Sequence, residues 1–236
     1  MGLPLFLAMN AREIAQVPIR MPIGWMACHF SPCSEGLTNF PLWIPPGSIL
    51  IIDDFFPCQG HSALQVATQV KGAVSRLECK SVLLDFQRPP SQESLAIIAA
   101  IQDAVTCPVA VSHLYGQYTQ GPVFLPPCPL YRPLEDHLSP WNGREIWLEI
   151  SPCRQQICVT EKGTTFSDIC NIVPSTEGFY DEHLRCHYII QAEPAQVTFT
   201  LFDTDETMTL KLEHAHSLKV TQAIGLWQEF QTFPTG

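Results

Sequence analysis

The sequence predicts an α/β fold: a (β/α)8 barrel of the TIM type, irregular in places and carrying an inserted β-hairpin. Three observations carry that reading. Short apolar runs alternate with longer segments of helical periodicity, the pattern of a parallel sheet covered by helices. The runs are apolar at consecutive positions rather than at every second one, as strands buried on both faces are. Eight such runs begin near residues 23, 48, 81, 108, 122, 145, 197 and 223, the count of a closed barrel in a chain of 236 residues.

In order along the chain, IGWMACHF at 23–30 is the first apolar strand. Beyond a Pro-rich stretch, SILIIDD at 48–54 is a continuous apolar run closed by two acids. Residues 61–78 then place Leu64, Ala67, Val70, Val74 and Leu77 on one helical face. SVLLDF at 81–86 is the next buried strand, and 91–105 is a helix opened by a capping pattern of Ser91 with Ser94, and an acid at Glu93. PVAVSHLY at 108–115, PVFLPP at 122–127 and REIWLEI at 144–150 continue the strands. Alternation on both sides of Lys162-Gly163 marks the hairpin, an excursion from the main sheet. QVTFTLFD at 196–203, a helix at 205–220 and AIGLWQEF at 223–230 close the series. No internal repeat or low-complexity stretch divides the chain, so residues 1–236 read as a single barrel domain.

Composition narrows the function classes. The formal charge is −10 and no basic run is present, which argues against nucleic acid or an anionic membrane as partner. No apolar run approaches the roughly 18 residues that cross a bilayer. The opening MGLPLFLAMNAREIAQ lacks the charged start and the apolar length of a secretion signal, and Phe6 spoils a myristoylation site. The ten cysteines lie scattered in strand and helix contexts and read as reduced core residues of a cytoplasmic protein. No G-x-G-x-x-G follows the first strand, which removes the dinucleotide reading, and no cofactor is expected.

A barrel of this type collects its site at the C-terminal ends of its strands. Asp53, Asp54, Asp85, Gln87, His113, Tyr115, Glu149, Asp203, Gln228 and Glu229 stand there. Trp25, Phe86, Tyr115, Trp147, Tyr188 and Trp227 supply aromatic surface. Carboxylates beside aromatic rings suit a glycan or small polyol, whose C–H faces stack while its hydroxyls take hydrogen bonds. The bland alternatives are helix caps, for which Asp203 ahead of TDET is a candidate, and plain barrel core for Trp25, Trp147 and Trp227. For Asp85 the site reading is the stronger one, because strand alternation puts Asp85 and Gln87 on one side and Phe86 on the other.

The stretch KSVLLDFQ, from Lys80, resembles the strand signature D-x-x-D-x-D-x-E of glycoside hydrolase family 18, whose last three marked positions fall on Leu83, Asp85 and Gln87. FTLFDTDETMTLKLEHAHSLKVTQAIGLWQE resembles the closing strand–helix–strand of the bacterial spore-cortex members, ending in a tryptophan at Trp227; CHYII before it resembles their aromatic strand segment. The resemblance runs from Ser48 onward. It implies a barrel in which a final glutamate protonates the glycosidic oxygen while the preceding aspartate orients the substrate's N-acetyl group. Gln87 stands where that glutamate would be. Its amide donates a hydrogen bond but transfers no proton, and such a proton is worth roughly 10²–10⁴-fold in rate. Leu83 replaces a further acid, and EIWLEI offers no counterpart of the family's Met-x-Tyr-Asp strand.

The resemblance therefore implies a catalytically impaired barrel that binds an amino-sugar-like glycan, with Asp85 and Gln87 at its centre; Trp227 matches the family's closing tryptophan, and the strand-end positions add Asp53, Asp54, His113, Tyr115 and Trp147 as binding residues. One alternative is an active glycosidase with a relocated acid, Glu149 or Glu229, which needs a carboxyl partner at about 5–5.5 Å for retention or about 6.5–9.5 Å for inversion. Another is a metal-assisted hydrolase using Asp53, Asp54, Asp85, His113 and Asp203. HLRCH offers a zinc half-site without the paired spacing that makes one specific. Prolines concentrated in FPLWIPPGS and FLPPCPLYRPLEDHLSPW stiffen loops at the rim, which also suits a protein-assembly role.

Overall fold

The computed structural model describes residues 2–14, 21–130, 132–169 and 178–231. Its main sheet uses β1 (Leu5–Met9), β2 (Ile23–Phe30), the short β3 (Leu37–Thr38), β4 (Ile49–Asp53), β5 (Ser81–Asp85), β6 (Val109–Ser112), β7 (Val123–Leu125) and β8 (Ile146–Glu149). After β8 the chain leaves this sheet for β9 (Arg154–Thr160), β10 (Gly163–Asp168), β11 (Phe179–Asp181), β12 (Cys186–Glu193) and β13 (Gln196–Phe202). It returns as β14 (Val220–Leu226). Eight strands pair in parallel in the cyclic order β1-β2-β4-β5-β6-β7-β8-β14, and β14 closes on β1 with Leu5 opposite Ala223. The expected closed barrel is present.

Two strand assignments differ from the sequence reading. The barrel's first strand is β1, inside the apolar opening, whereas the run at 197 is β13, in a separate five-stranded antiparallel sheet ordered β10-β9-β13-β12-β11. The reason is legible in QVTFTLF: Val197, Phe199 and Leu201 alternate with Thr198 and Thr200, the period-2 pattern of a strand with one apolar face. A barrel strand needs both faces apolar, and LFLAM supplies that. The expected hairpin is there as β9 and β10, turning at Gly163 (φ +135°), and it is one edge of this larger insertion.

Strand alternation divides the core into an inner and an outer layer. Phe6, Ala8, Ile49, Ile51, Leu83, Ala110, Phe124, Trp147 and Ile224 fill the barrel. Gly24 belongs to the same layer: a Cβ there would lie 2.8 Å from Ile51 Cδ1, so a larger residue would make that side chain move. The intervening residues, such as Leu50, Ile52, Val82 and Leu84, face outward onto α1 (Ala63–Leu77) and α2 (Gln92–Ala104). Helix α1 starts where Ser62 accepts from the Gln65 amide, and it buries Val66, Ala67, Val70, Ala73 and Leu77. Leu64, expected on that face, is 76% exposed. Helix α2 opens with the reciprocal Ser91–Ser94 capping box that the sequence shows.

The irregularity lies on the other side of the barrel. A 3-10 helix (His113–Tyr118) takes the place of an α-helix after β6, and among the described residues the five-residue α3 (Leu134–Leu138) and a 3-10 turn (Ser139–Trp141) stand between β7 and β8. The inserted sheet occupies the connection after β8, followed by α4 (Asp205–Ser217). Helix α5 (Trp227–Phe230) then extends from β14. Among the described residues nine cysteines are free thiols, and no helix is long and apolar enough to cross a membrane.

Candidate functional site

Three strands carry an acid at the position that the barrel's inner phase dictates. Asp53 lies two residues beyond Ile51, Asp85 two beyond Leu83, and Glu149 two beyond Trp147, all inner-layer residues. Asp53 and Asp85 are register partners on adjacent strands. Phe86 turns outward into the core, where it is fully buried, and Gln87 comes back to the side of Asp85, as alternation requires. The Gln87 amide Nε2 donates to Asp85 Oδ1. Glu229, in α5, joins from the end of β14 and accepts from Ser151 Oγ at 2.8 Å.

The site's electrostatics follow from crowding acids in a poorly solvated mouth. Burial raises the pKa of Asp85 above the ordinary carboxylate range; the Gln87 hydrogen bond opposes this, and the charges of Asp53 and Asp54 add to it. Asp53 is also raised, chiefly by burial, with the bond from the Phe55 amide acting the other way. Glu149 is pushed up to about 7 by burial, then by the charges of Asp85 and Glu229. Near neutrality its carboxyl exchanges a proton readily. Asp85 instead is bonded to an amide that can donate a hydrogen bond to a ligand oxygen but cannot give up a proton.

The other expected residues go elsewhere. Asp54 is buried and belongs to the scaffold: its two oxygens accept the Gln87 amide at 2.7 Å and the Arg88 amide at 2.9 Å. Tyr115 is buried behind the same loop, donating from its hydroxyl to the Arg88 carbonyl at 3.1 Å. Together they fix the turn that presents Gln87. Trp147 lies wholly inside the barrel, its indole donating to Glu145 Oε1 at 3.2 Å, so it is floor rather than mouth. Trp25 is core as well, bonded to the Asn39 carbonyl.

His113 is half-buried near His137, and burial lowers its pKa. Trp227 is half-buried at the start of α5, and its indole N–H finds no acceptor among the described residues. Asp203 does not cap α4; Thr204 does, accepting from the Thr207 amide. Asp203 is instead tied to Lys211 Nζ and to the Cys153 amide, each at 2.6 Å. Among the described residues no three His, Cys, Asp or Glu side chains are grouped to hold a metal ion. In HLRCH, Cys186 is buried beside Cys153 while the His187 ring stacks on Phe202.

The structure therefore brings Asp53, Asp85, Gln87, Glu149 and Glu229 together, with Asp54 buried directly behind Gln87 as a scaffold and Tyr115 and Trp147 in the core. It also shows what sequence reasoning missed. A cleft of about 400 Å³ runs from Glu149 and Ser151 past residues 127–130 and 132–135 to the turn at 182–185 and to Lys211 and His214 of α4. The i, i+3 spacing of Lys211 and His214, which puts both on one helical face, is the one local signal of it.

Comparison with solved structures places the fold. The chain is similar to a glycoside hydrolase family 18 N-acetylglucosaminidase from Paenibacillus barengoltzii, with a TM-score of 0.63 and 9% identity over 96% of this chain and 95% of that one. It is similar to the spore cortex-lytic enzyme SleL of Bacillus cereus, with a TM-score of 0.60 and 8% identity over 98% and 72%. A family 18 chitinase from Cycas revoluta aligns with a TM-score of 0.58 and 9% identity over 98% and 96%. That chitinase is a double mutant, one change turning a glutamate into glutamine, in complex with (GlcNAc)4. No family model matches the sequence, and no curated protein matches it. At these identities the likeness establishes the fold, which is the family 18 type of barrel.

Proposed function

We propose that this protein is a glycoside-hydrolase-like barrel that binds an amino-sugar glycan across the C-terminal ends of its strands and lacks the usual proton donor. The observation that carries the reading is the Asp85–Gln87 pair. Both side chains stand on the inner side of the mouth, and the amide donates to the carboxylate. An aspartate so held can orient an N-acetyl group, while the amide can donate a hydrogen bond to a bridging oxygen and stop there. The Cycas revoluta chitinase supports the reading, since a barrel of this fold with one glutamate turned to glutamine was captured with (GlcNAc)4.

Restoring the acid tests it. Gln87→Glu is expected to raise product release from N-acetylglucosamine oligomers by roughly 10²–10⁴-fold over the unaltered protein. No gain in a variant that still binds the oligomer would count against the assigned role of Gln87.

A second reading is favoured by one observation, the Glu149 pKa of about 7. A buried carboxyl that is half protonated at neutral pH is what a general acid requires. On this reading the protein is a working glycosidase whose acid has moved from β5 to β8. Turnover by the unaltered protein, declining as pH rises through about 7 and abolished in Glu149→Gln, is its signature.

A further inference from the structure

We infer that the apolar face of the inserted sheet is a dimerisation surface, on which a second copy of this chain packs face to face about a two-fold axis. The pairing register fixes that face row by row. Phe166, Ile157, Phe199 and Ile190 are register partners on β10, β9, β13 and β12, so their side chains stand abreast on one side of the sheet. Two residues along each strand, Thr164, Val159, Val197 and Ala192 make a second row on the same side. A third row, beyond the first, holds Asp168, Gln155, Leu201 and Tyr188, with Phe179 of β11 opposite Tyr188 and their rings 5.5 Å apart.

The reverse side is mostly polar, with Thr165, Thr198 and Gln191 in one row and Ser167, Gln156 and Thr200 in the next. The sheet is thus amphipathic, and its apolar side is the open one. Phe166 is 69% and Phe179 61% exposed, Ile190 and Val159 are exposed as well, and Ile157, Phe199 and Val197 are half-buried. A monomer rarely leaves so continuous an apolar patch to water.

Size, charge and shape all point to a second copy as the occupant. Five strands at about 4.8 Å spacing and about 3.4 Å per residue make a face on the order of 500 Å² in projection, and more in accessible surface. That is the scale of the roughly 800 Å² each partner buries in a stable interface. Asp168 is the one charged residue in the three rows, at their outer corner. Two chains of formal charge −10 repel each other, and across this face they meet with like charges held at the rim. The first row is large (Phe, Ile, Phe, Ile) and the second small (Thr, Val, Val, Ala). A two-fold axis running between the two rows lays each large residue of one copy over a small one of the other. Phe199 then meets the partner's Val197, and Ile190 the partner's Ala192, as an isologous interface between stacked sheets requires.

Sedimentation equilibrium of the full chain between about 1 and 100 μM tests this. A reversible monomer–dimer equilibrium is expected, with dimer dominant at the top of the range. Added sodium sulfate is expected to tighten it, since the salt strengthens apolar burial and screens the two negative chains from each other. Phe166→Asp, in the large row, is expected to weaken the dimer by at least about tenfold. Ala192→Glu, in the small row, is expected to do the same by setting bulk and charge beneath the partner's Ile190. Both positions are exposed, so circular dichroism should show each variant folded. Leu64→Asp, an equally exposed apolar position on α1, is the control and is expected to leave the dimer unchanged.

A monomer throughout the range overturns the inference. So does a dimer that persists in a folded Phe166→Asp or Ala192→Glu protein, because its interface then lies elsewhere. Equal loss in the Leu64→Asp control would likewise remove the assignment to this sheet. Dissociation in the two sheet variants alone establishes the face and its partner.

Discussion

The ends of β5 and β8 make the same delivery and reach opposite results. Each strand puts a carboxylate two residues beyond an inner-layer side chain, Leu83 for Asp85 and Trp147 for Glu149. At β5 that carboxylate accepts from the Gln87 amide, and the turn behind it is tied down by Asp54, Arg88 and Tyr115. At β8 no donor reaches Glu149 among the described residues; it faces Asp85 and Glu229 and borders the cleft. Both carboxyls are raised by burial, but one has a bonded amide neighbour and the other, without one, is pushed up to about 7. The difference lies in the loops, since the strands are equivalent. A rigid turn supplies Asp85 with a donor, while Glu149 is left with burial and the charges of Asp85 and Glu229 to raise it.

The comparison breaks most completely where the β5 turn is held. Asp54→Ala leaves the Gln87 and Arg88 amides without their acceptor and is expected to cost about 2–4 kcal/mol of stability. Chemical denaturation measures it, and a loss below about 0.5 kcal/mol would mean that the turn is not held as described.

At β8 the expected effect is smaller and opposite in sign. The folded pKa of Glu149 lies above its ordinary value of 4.5, so the folded state binds more proton between 4.5 and about 7. Stability from this group is thus greatest at low pH and falls as pH rises through that window. Glu149→Gln removes the dependence and is expected to stabilise the protein at pH 8 by roughly 1–3 kcal/mol while changing little at pH 5. Thermal unfolding at the two pH values checks it; equal shifts at both would show that burial does not raise Glu149.

Much of this was legible in the sequence, and the pattern of what was not is physical. Alternation alone put Asp85 and Gln87 on one side and Phe86 on the other, because period 2 is a property of the strand and needs no tertiary knowledge. The Ser91–Ser94 box marked the start of α2 for the same local reason. Tyr115 and Trp147 were read as mouth residues, yet whether an aromatic at a strand end points to solvent or into the layer beneath depends on barrel closure. Asp54 looked like Asp53 in sequence; one faces the barrel and the other two backbone amides from a loop 33 and 34 residues away. The first barrel strand was hidden by its position at the start of the chain. The strand at 197 carried its own correction in the threonines at 198 and 200. Apart from the i, i+3 pair on α4 nothing local marks the cleft, which forms between β8, the loop after β7, the inserted sheet and α4.

The most direct measurement is a calorimetric titration of the unaltered protein and of Asp85→Ala with the N-acetylglucosamine tetramer, followed by product analysis over several days. The account predicts that the unaltered protein binds the tetramer and leaves it intact. In Asp85→Ala it predicts affinity weaker by at least about tenfold, with stability unchanged or raised because a buried carboxyl has gone. Equal affinity in the two proteins would contradict the central role of Asp85, and release of product by the unaltered one would transfer the chemistry to Glu149.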